Sequence, residues 1–163
     1  MTMARKQVAA TGLIWLWIAF LVLAIDRLSK IWVIQHLAFF EPVKILPIFN
    51  LTLAYNTGAA FSFLHSANGW QNVLFGSLAF IVSTVIFITL YKTPARERWY
   101  NIALCLVMSG ALGNAWDRLT YGFVVDFLSF HFGDWHFAIF NIADSAICVG
   151  AFMLFWRWVV IKK

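Results

Sequence analysis

The sequence predicts a membrane-embedded bundle of four helices with a small β-sheet on its outer surface. Three observations carry that prediction. Of 163 residues, 63% are hydrophobic and only 12% charged, whereas soluble domains are near half apolar and about a quarter charged. Four segments are long enough to cross a ~30 Å hydrocarbon core at ~1.5 Å per residue. The two longer connections between them read as strands rather than as polar loops. Nine Trp and seventeen Phe fit the same membrane setting.

The first span runs over about 13–33 and carries Asp26, Arg27 and Lys30 towards its far end. The second, 73–91, holds no charge. The third covers about 100–116 and the fourth about 140–160. The first apolar segment lacks a small-residue cleavage site after a short core, so it does not read as a cleavable signal peptide. Basic residues in the loops orient the spans. Arg5 and Lys6, then Lys92, Arg96 and Arg98, then Lys162 and Lys163 fall on one side, which is expected to be the cytoplasm. Both termini are then cytoplasmic, and segments 35–70 and 118–138 face outward. The net charge of +5 is absorbed by this topology and does not point to nucleic acid.

Within the outward segments, "KILPIFNLTLAYNTGAAFSF" alternates roughly from Phe49 to Tyr55, as a strand does. "GFVVDFLSF" and "DWHFAIF" have similar character and are separated by the turn-like "HFGD". The connection "NTGAAFSFLHSANGW" is expected to act as a lid, with Gly58 and Gly69 as hinges.

The polar residues matter most in so oily a chain. Of seven acidic residues, Asp26, Asp117, Asp126 and Asp144 lie near the outward ends of spans or in the apolar connections. A carboxylate there is costly and is a functional hypothesis by default. Asp26 and Lys30 are four apart and share a helical face, which suits a structural ion pair. Asn114 and Arg118 also share a face, for bundle hydrogen bonds or substrate positioning, and Asp117 lies three residues after Asn114. Asn141 stands three residues before Asp144 and four before Ser145. Asn56 precedes Gly58, which permits close backbone approach or a positive φ. The small residues Ser109 and Gly113 predict tight helix packing. Cys105 and Cys148 read as small buried hydrophobes. His36, His65, His131 and His136 show neither an HExxH pattern nor a shared face, so no metal site is expected.

Asp126 and Asp144 have no Lys or Arg within four residues. Apart, each would be an unpaired buried acid and stay protonated. Facing each other, they can share one proton and activate a water, one as base and the other as acid. Three readings stand on spacing alone: a catalytic dyad, a proton or ion path through a small transporter, and structural polar contacts.

Five motifs narrow the choice. "DRLSK" (26–30), "NTGAAFSFL" (56–64), "SGALGNAWDR" (109–118), "GFVVDF" (122–127) and "FNIADSAI" (140–147) follow one another in this order. With them the chain resembles the bacterial lipoprotein signal peptidases, the type II signal peptidases, over nearly its whole length, and its proteobacterial members most. Ser109, where many members carry Gly, and Ile142, where many carry Leu, are mild departures. The resemblance implies an aspartyl endopeptidase of the bacterial inner membrane. It implies a prolipoprotein substrate, cut just before a cysteine that already carries diacylglycerol. It assigns the catalytic dyad to Asp126 and Asp144, with Asp26, Lys30, Asn56, Gly58, Asn114, Arg118 and Asn141 supporting the site and lining its pocket. It implies no cofactor, a monomer, membrane lipids around it, and inhibition by cyclic peptides of the globomycin type. The implied fold is four transmembrane helices with a periplasmic β-cradle and a short periplasmic helix. The alternative is a small proton-coupled transporter using the same carboxylates. It would need a polar path through the cytoplasmic halves of the spans, where the sequence places almost no ionisable group.

Overall fold

A computed structural model of the chain describes residues 10–58 and 70–160. Most of the expected lid, with Gly69 and His65, lies outside the described residues, as do Arg5, Lys6, Lys162 and Lys163.

A 3-10 turn, Gly12–Trp15, leads into α1 (Leu16–His36). Then come β1 (Val43–Leu46), β2 (Phe49–Asn56), α2 (Trp70–Lys92), α3 (Arg98–Tyr121), β3 (Val124–Phe132), β4 (Trp135–His136) and α4 (Ile142–Val160). The four helices coincide with the four predicted spans to within a few residues, except that α3 continues one turn beyond 116. There it carries Asp117 and Arg118 before Gly122 ends it in the left-handed conformation, φ 81°. Among the described residues the one further helical turn is Gly12–Trp15, at the end away from the sheet, so the expected short helix near the sheet is not among them.

Among the described residues, three helices are long and apolar enough to cross a membrane: Gly12–His36, Trp70–Lys92 and Ile142–Val160. Their outer faces present large apolar side chains; Phe20 is 74% exposed and Phe80 72%. Such surfaces are stable against lipid and a liability in water. α3 differs for a physical reason. It packs against each of the other three helices, which cover most of its middle while Trp116 and Leu119 stay exposed, so it can carry buried Asn101, Ser109, Asn114 and Asp117.

Close approach requires small residues on α3. A Cβ at Gly110 would fall 2.3 Å from the Ala143 carbonyl oxygen, and one at Gly113 would fall 2.8 Å from Asp26 Oδ2. On α4, a Cβ at Gly150 would fall 2.7 Å from the Ala103 carbonyl oxygen. The interhelical stripe is therefore Gly110 and Gly113. Ser109 is buried too, but its hydroxyl donates within its own helix to the Leu106 carbonyl at 2.9 Å. Cys105 is buried in the core, whereas Cys148 is exposed. That corrects the expectation for Cys148: α4 turns Ala143, Ala146 and Gly150 inward, which leaves Cys148 on the other face.

The strands form one antiparallel sheet in the order β1-β2-β3-β4. The alternation read from Phe49 onward is β2. In "HFGD", Gly133 adopts φ 60° and turns β3 into β4. β4 has only two residues, because the chain from Phe137 to Phe140 stays beside β3 by single hydrogen bonds, Phe137 N–H to Phe130 at 2.9 Å and Phe140 N–H to Leu128 at 3.1 Å. Val33 of α1 packs with Leu53, Val125 and Phe127. That small core seats the sheet on the end of the bundle where α1 and α3 finish and α2 and α4 begin.

Candidate active site

The site begins with a local motif. Asn141 stands just before α4, and its side-chain oxygen accepts the Asp144 N–H at 2.8 Å while Asp144 Oδ2 accepts the Asn141 N–H at 3.2 Å. This reciprocal cap satisfies two orphan donors at the helix start, and it fixes both side chains. Ser145 adds a bond from its hydroxyl to the Asn141 carbonyl at 2.9 Å.

Long-range contacts then bring the second carboxylate in. Asn141 Nδ2 donates to Asp126 Oδ1 at 2.7 Å. It also reaches Asn114 Oδ1 at 3.1 Å and the Val125 carbonyl at 3.3 Å. Asn114 Nδ2 donates to Asp144 Oδ1 at 2.7 Å. Asn56 Nδ2 donates to Asp126 Oδ2 at 3.0 Å, and its oxygen accepts the Gly58 N–H at 2.9 Å. Gly58 makes that turn with φ 99°, a conformation that favours glycine. Asp126 and Asp144 are thus tied together through Asn141 and Asn114, and every side chain holding them is a neutral amide. Asp126 is 2% exposed and Asp144 half-buried. Burial, and then the negative charge of Asp144, push the Asp126 carboxyl up to about 7, against the hydrogen bonds of Asn56 and Asn141 and the charge of Lys30. Near neutral pH it is poised to hold or release a proton.

Beside this pair lies a cluster of a different kind. Lys30 Nζ sits 2.8 Å from Asp26 Oδ2, 2.8 Å from Asp117 Oδ2 and 3.3 Å from Asn114 Oδ1. The ammonium thus lies between two carboxylates and hydrogen-bonds the Asn114 amide oxygen. Arg27 pairs with Asp117 Oδ1 and donates to the Tyr121 hydroxyl at 3.1 Å. Two cations balance two carboxylates, and Lys30 and Asp117 are both fully buried. The same two carboxylates also hold backbone. Asp26 Oδ1 accepts the Ala143 N–H at 2.9 Å, and Asp117 Oδ2 accepts the Val125 N–H at 3.2 Å. Ala143 and Val125 immediately precede Asp144 and Asp126. The ion cluster therefore grips the backbone one residue before each carboxylate of the pair.

Arg118 lies on the pair's other flank. Its guanidinium stacks over Phe75 at 4.8 Å, donates to the Asn114 carbonyl at 3.3 Å, and feels the charges of Asp144, Asp126 and Asp117 in that order. With Asn114 it closes one end of an apolar cavity of about 300 Å³ whose walls include Phe75, Leu78, Val82 and Ala111.

All nine sequence-selected residues thus converge on the sheet end of the bundle. Sequence reasoning missed the roles of Asp117 and Arg27. Asp117 carried one signal, a carboxylate three residues after Asn114, but its partners Arg27 and Lys30 lie about ninety residues away.

A family model described as "Signal peptidase (SPase) II" matches residues 18–160. The chain is 49% identical over 146 residues to a lipoprotein signal peptidase of Yersinia enterocolitica, covering 90% of this chain and 86% of that one. It is 50% identical over 147 residues to one of Photorhabdus laumondii, covering 90% and 88%. Among solved structures it is similar to a bacterial membrane enzyme determined by the in meso method at 1.9 Å, with a TM-score of 0.80 and 26% identity over 90% of this chain and 92% of that one. A second, at 2.3 Å, matches with a TM-score of 0.77 and 27% identity over 91% and 87%. With its apolar helices, this is a multi-pass membrane protein, and the motif order, the site and the relatives agree: the chain belongs to the signal peptidase II family.

Proposed function

We propose that this chain is an aspartic peptidase that removes signal peptides from prolipoproteins, cutting just before a cysteine that carries diacylglycerol, with Asp126 and Asp144 as the catalytic pair. The observation that carries the reading is the pair itself: two carboxylates joined through Asn141 and Asn114, with only amides as side-chain partners.

The pair with one proton carries a single negative charge, which Arg118 offsets. The ionised carboxylate takes a proton from a water as its oxygen attacks the scissile carbonyl carbon. The protonated carboxyl gives its proton to the carbonyl oxygen, forming a neutral gem-diol. Collapse breaks the C–N bond; the leaving amine takes a proton from one carboxyl, and a gem-diol hydroxyl returns one to the other. The pair titrates as a unit, so the two roles belong to it jointly. The amides of Asn56, Asn114 and Asn141 hold the carboxylates in fixed geometry, which lowers the cost of reaching the transition state. All these groups come from one chain, as suits a monomer.

Placement in the membrane follows from the substrate. A signal peptide is itself an apolar helix, so its scissile bond meets the enzyme near the membrane surface. We place the sheet end at the periplasmic face of the inner membrane, with four helices spanning, α3 shielded by the other three, and both termini cytoplasmic. The cavity beneath Arg118 suits acyl chains of the substrate, and globomycin-type inhibitors would compete there. A transport reading has less support: among the described residues, the core of the opposite half is built from Ile86, Leu90, Leu104, Cys105 and Met108, which offer no carboxylate relay.

The test is cleavage in detergent with EDTA, using a prolipoprotein with and without diacylglycerol. Wild type should cut the lipid-modified form before its cysteine, and folded Asp126→Asn and Asp144→Asn should each lose about a thousandfold or more in kcat. A variant within about tenfold of wild type removes that residue from the chemistry. Intact lipid-modified substrate after incubation with wild type removes the peptidase reading.

A further inference from the structure

A second pocket lies on the sheet. It has a volume of about 290 Å³, with Asn50, Thr52, Ser129 and His136 among its lining and Phe40 and Phe137 as apolar walls. Thr52 and Ser129 are only 6% exposed each. Among the described residues, the side chains of Asn50, Thr52 and Ser129 make no hydrogen bond to one another or to any other residue. Their polar groups are free to meet a ligand.

The strands connect this pocket to the catalytic pair. Along β2, Leu51 and Leu53 pack on the core while Asn50 and Thr52 line the pocket; the pairing with β3 slips between Leu51 and Ala54, where Thr52 and Leu53 stand opposite Phe127 alone. Ala54 pairs with Asp126, and Asn50 with Ser129. On β3, the consecutive Phe127 and Leu128 both turn to the core, and both donate their N–H to the Phe140 carbonyl, at 3.0 and 2.8 Å. This bulge shifts the alternation by one and returns Ser129 to the face that carries Asp126. One stripe therefore runs from Asn56 and Asp126 to the pocket. Ser129 stands three strand positions beyond Asp126, about 10 Å, which an extended peptide covers in about three residues.

We propose that this pocket receives the third residue on the mature side of the scissile bond and selects a side chain that hydrogen-bonds. The assignment rests on the peptidase reading above. The signal-peptide side of the substrate stays among the helices, so the mature side has the sheet to cross. There the hydroxyls of Thr52 and Ser129 and the amide of Asn50 offer both donors and acceptors, while the 290 Å³ volume admits a medium-sized side chain.

The experiment uses two lipid-modified prolipoproteins that differ only at that third residue, Asn in one and Leu in the other. The readout is the ratio of their kcat/KM values, which a reduced fraction of folded enzyme does not change. Wild type should favour Asn by about tenfold, and Thr52→Val and Ser129→Ala should each lower the ratio about fivefold, the worth of one hydrogen bond, through KM. Equal cleavage of both substrates by wild type, or an unchanged ratio in both variants, overturns the pocket assignment alone. Cleavage of neither substrate by wild type overturns the peptidase reading, and the pocket assignment with it.

Discussion

Four carboxylates are gathered at one end of this bundle, and they are held in two different ways. Asp26 and Asp117 meet the cations Lys30 and Arg27. Asp126 and Asp144 meet the side chains of Asn56, Asn114 and Asn141. Burial penalises any lone carboxylate, and the two sets answer that penalty differently. A buried cation supplies its partner with an opposite charge, and removing either group strands the other. An amide stabilises a carboxylate without supplying charge. At Asp126 burial and the neighbouring Asp144 outweigh the amides. The counter-ions build a charge-balanced frame; the amides hold a pair to which they bring no charge. The frame also serves the pair, since Asp26 and Asp117 grip the amides of Ala143 and Val125.

This contrast is broken most severely by Lys30→Met, which leaves two buried carboxylates short of a cation. Unfolding in mild detergent should show a loss of about 3–5 kcal/mol, with activity falling as α4 and β3 lose their anchor. Gly113→Ala comes next, since the new Cβ would lie 2.8 Å from Asp26 Oδ2 and 3.3 Å from the Ala143 Cβ. It should cost about 1–3 kcal/mol by overpacking, seen as a lower unfolding midpoint together with a lower kcat/KM.

The pH dependence sharpens the contrast. The Asp126 carboxyl is raised from 3.8 to about 7, so between those values the folded protein keeps a proton that the unfolded chain releases. Its stabilising contribution is therefore complete below the unfolded value and is lost as pH rises through about 7. Over the same upper range kcat/KM should fall, approaching tenfold per pH unit above about 7 as the pair loses its shared proton. Asp126→Asn should abolish that part of the stability slope. The smallest effect belongs to an ion pair outside the frame. Arg157 and Glu97 meet at 2.8 Å but keep side-chain exposures of 31% and 37%, so Arg157→Ala should change stability by less than about 1 kcal/mol and leave cleavage unaltered.

Much of this was legible in the sequence, for reasons that can be named. Asn141 and Asp144 interact across one helical turn, and Asp26 and Lys30 across another, so spacing alone reveals both relations. β2 announced itself by alternation. Asp117 was harder, because its meaning depends on Arg27, Lys30 and the Val125 amide, and only the folded chain brings these together. Gly110 was hidden for the same kind of reason: either Ser109 or Gly110 can begin a small-residue stripe, and the position of Ala143 on α4 decides between them. The slip at Phe127 and Leu128 breaks a strand's alternation without any Gly or Pro to mark it. α3 reads as an ordinary span by length, yet its polar content becomes intelligible only once three helices surround it.

The most direct test of the account compares thermal unfolding of Asp126→Asn and Asp117→Asn at pH 8, each beside wild type. Asp126→Asn removes a carboxylate that burial and Asp144 disfavour, so its midpoint should equal or exceed that of wild type even though cleavage is lost. Asp117→Asn removes the shared partner of Lys30 and Arg27, so its midpoint should fall well below. A marked fall for Asp126→Asn with no fall for Asp117→Asn would contradict the division into a fixed frame and a titrating pair.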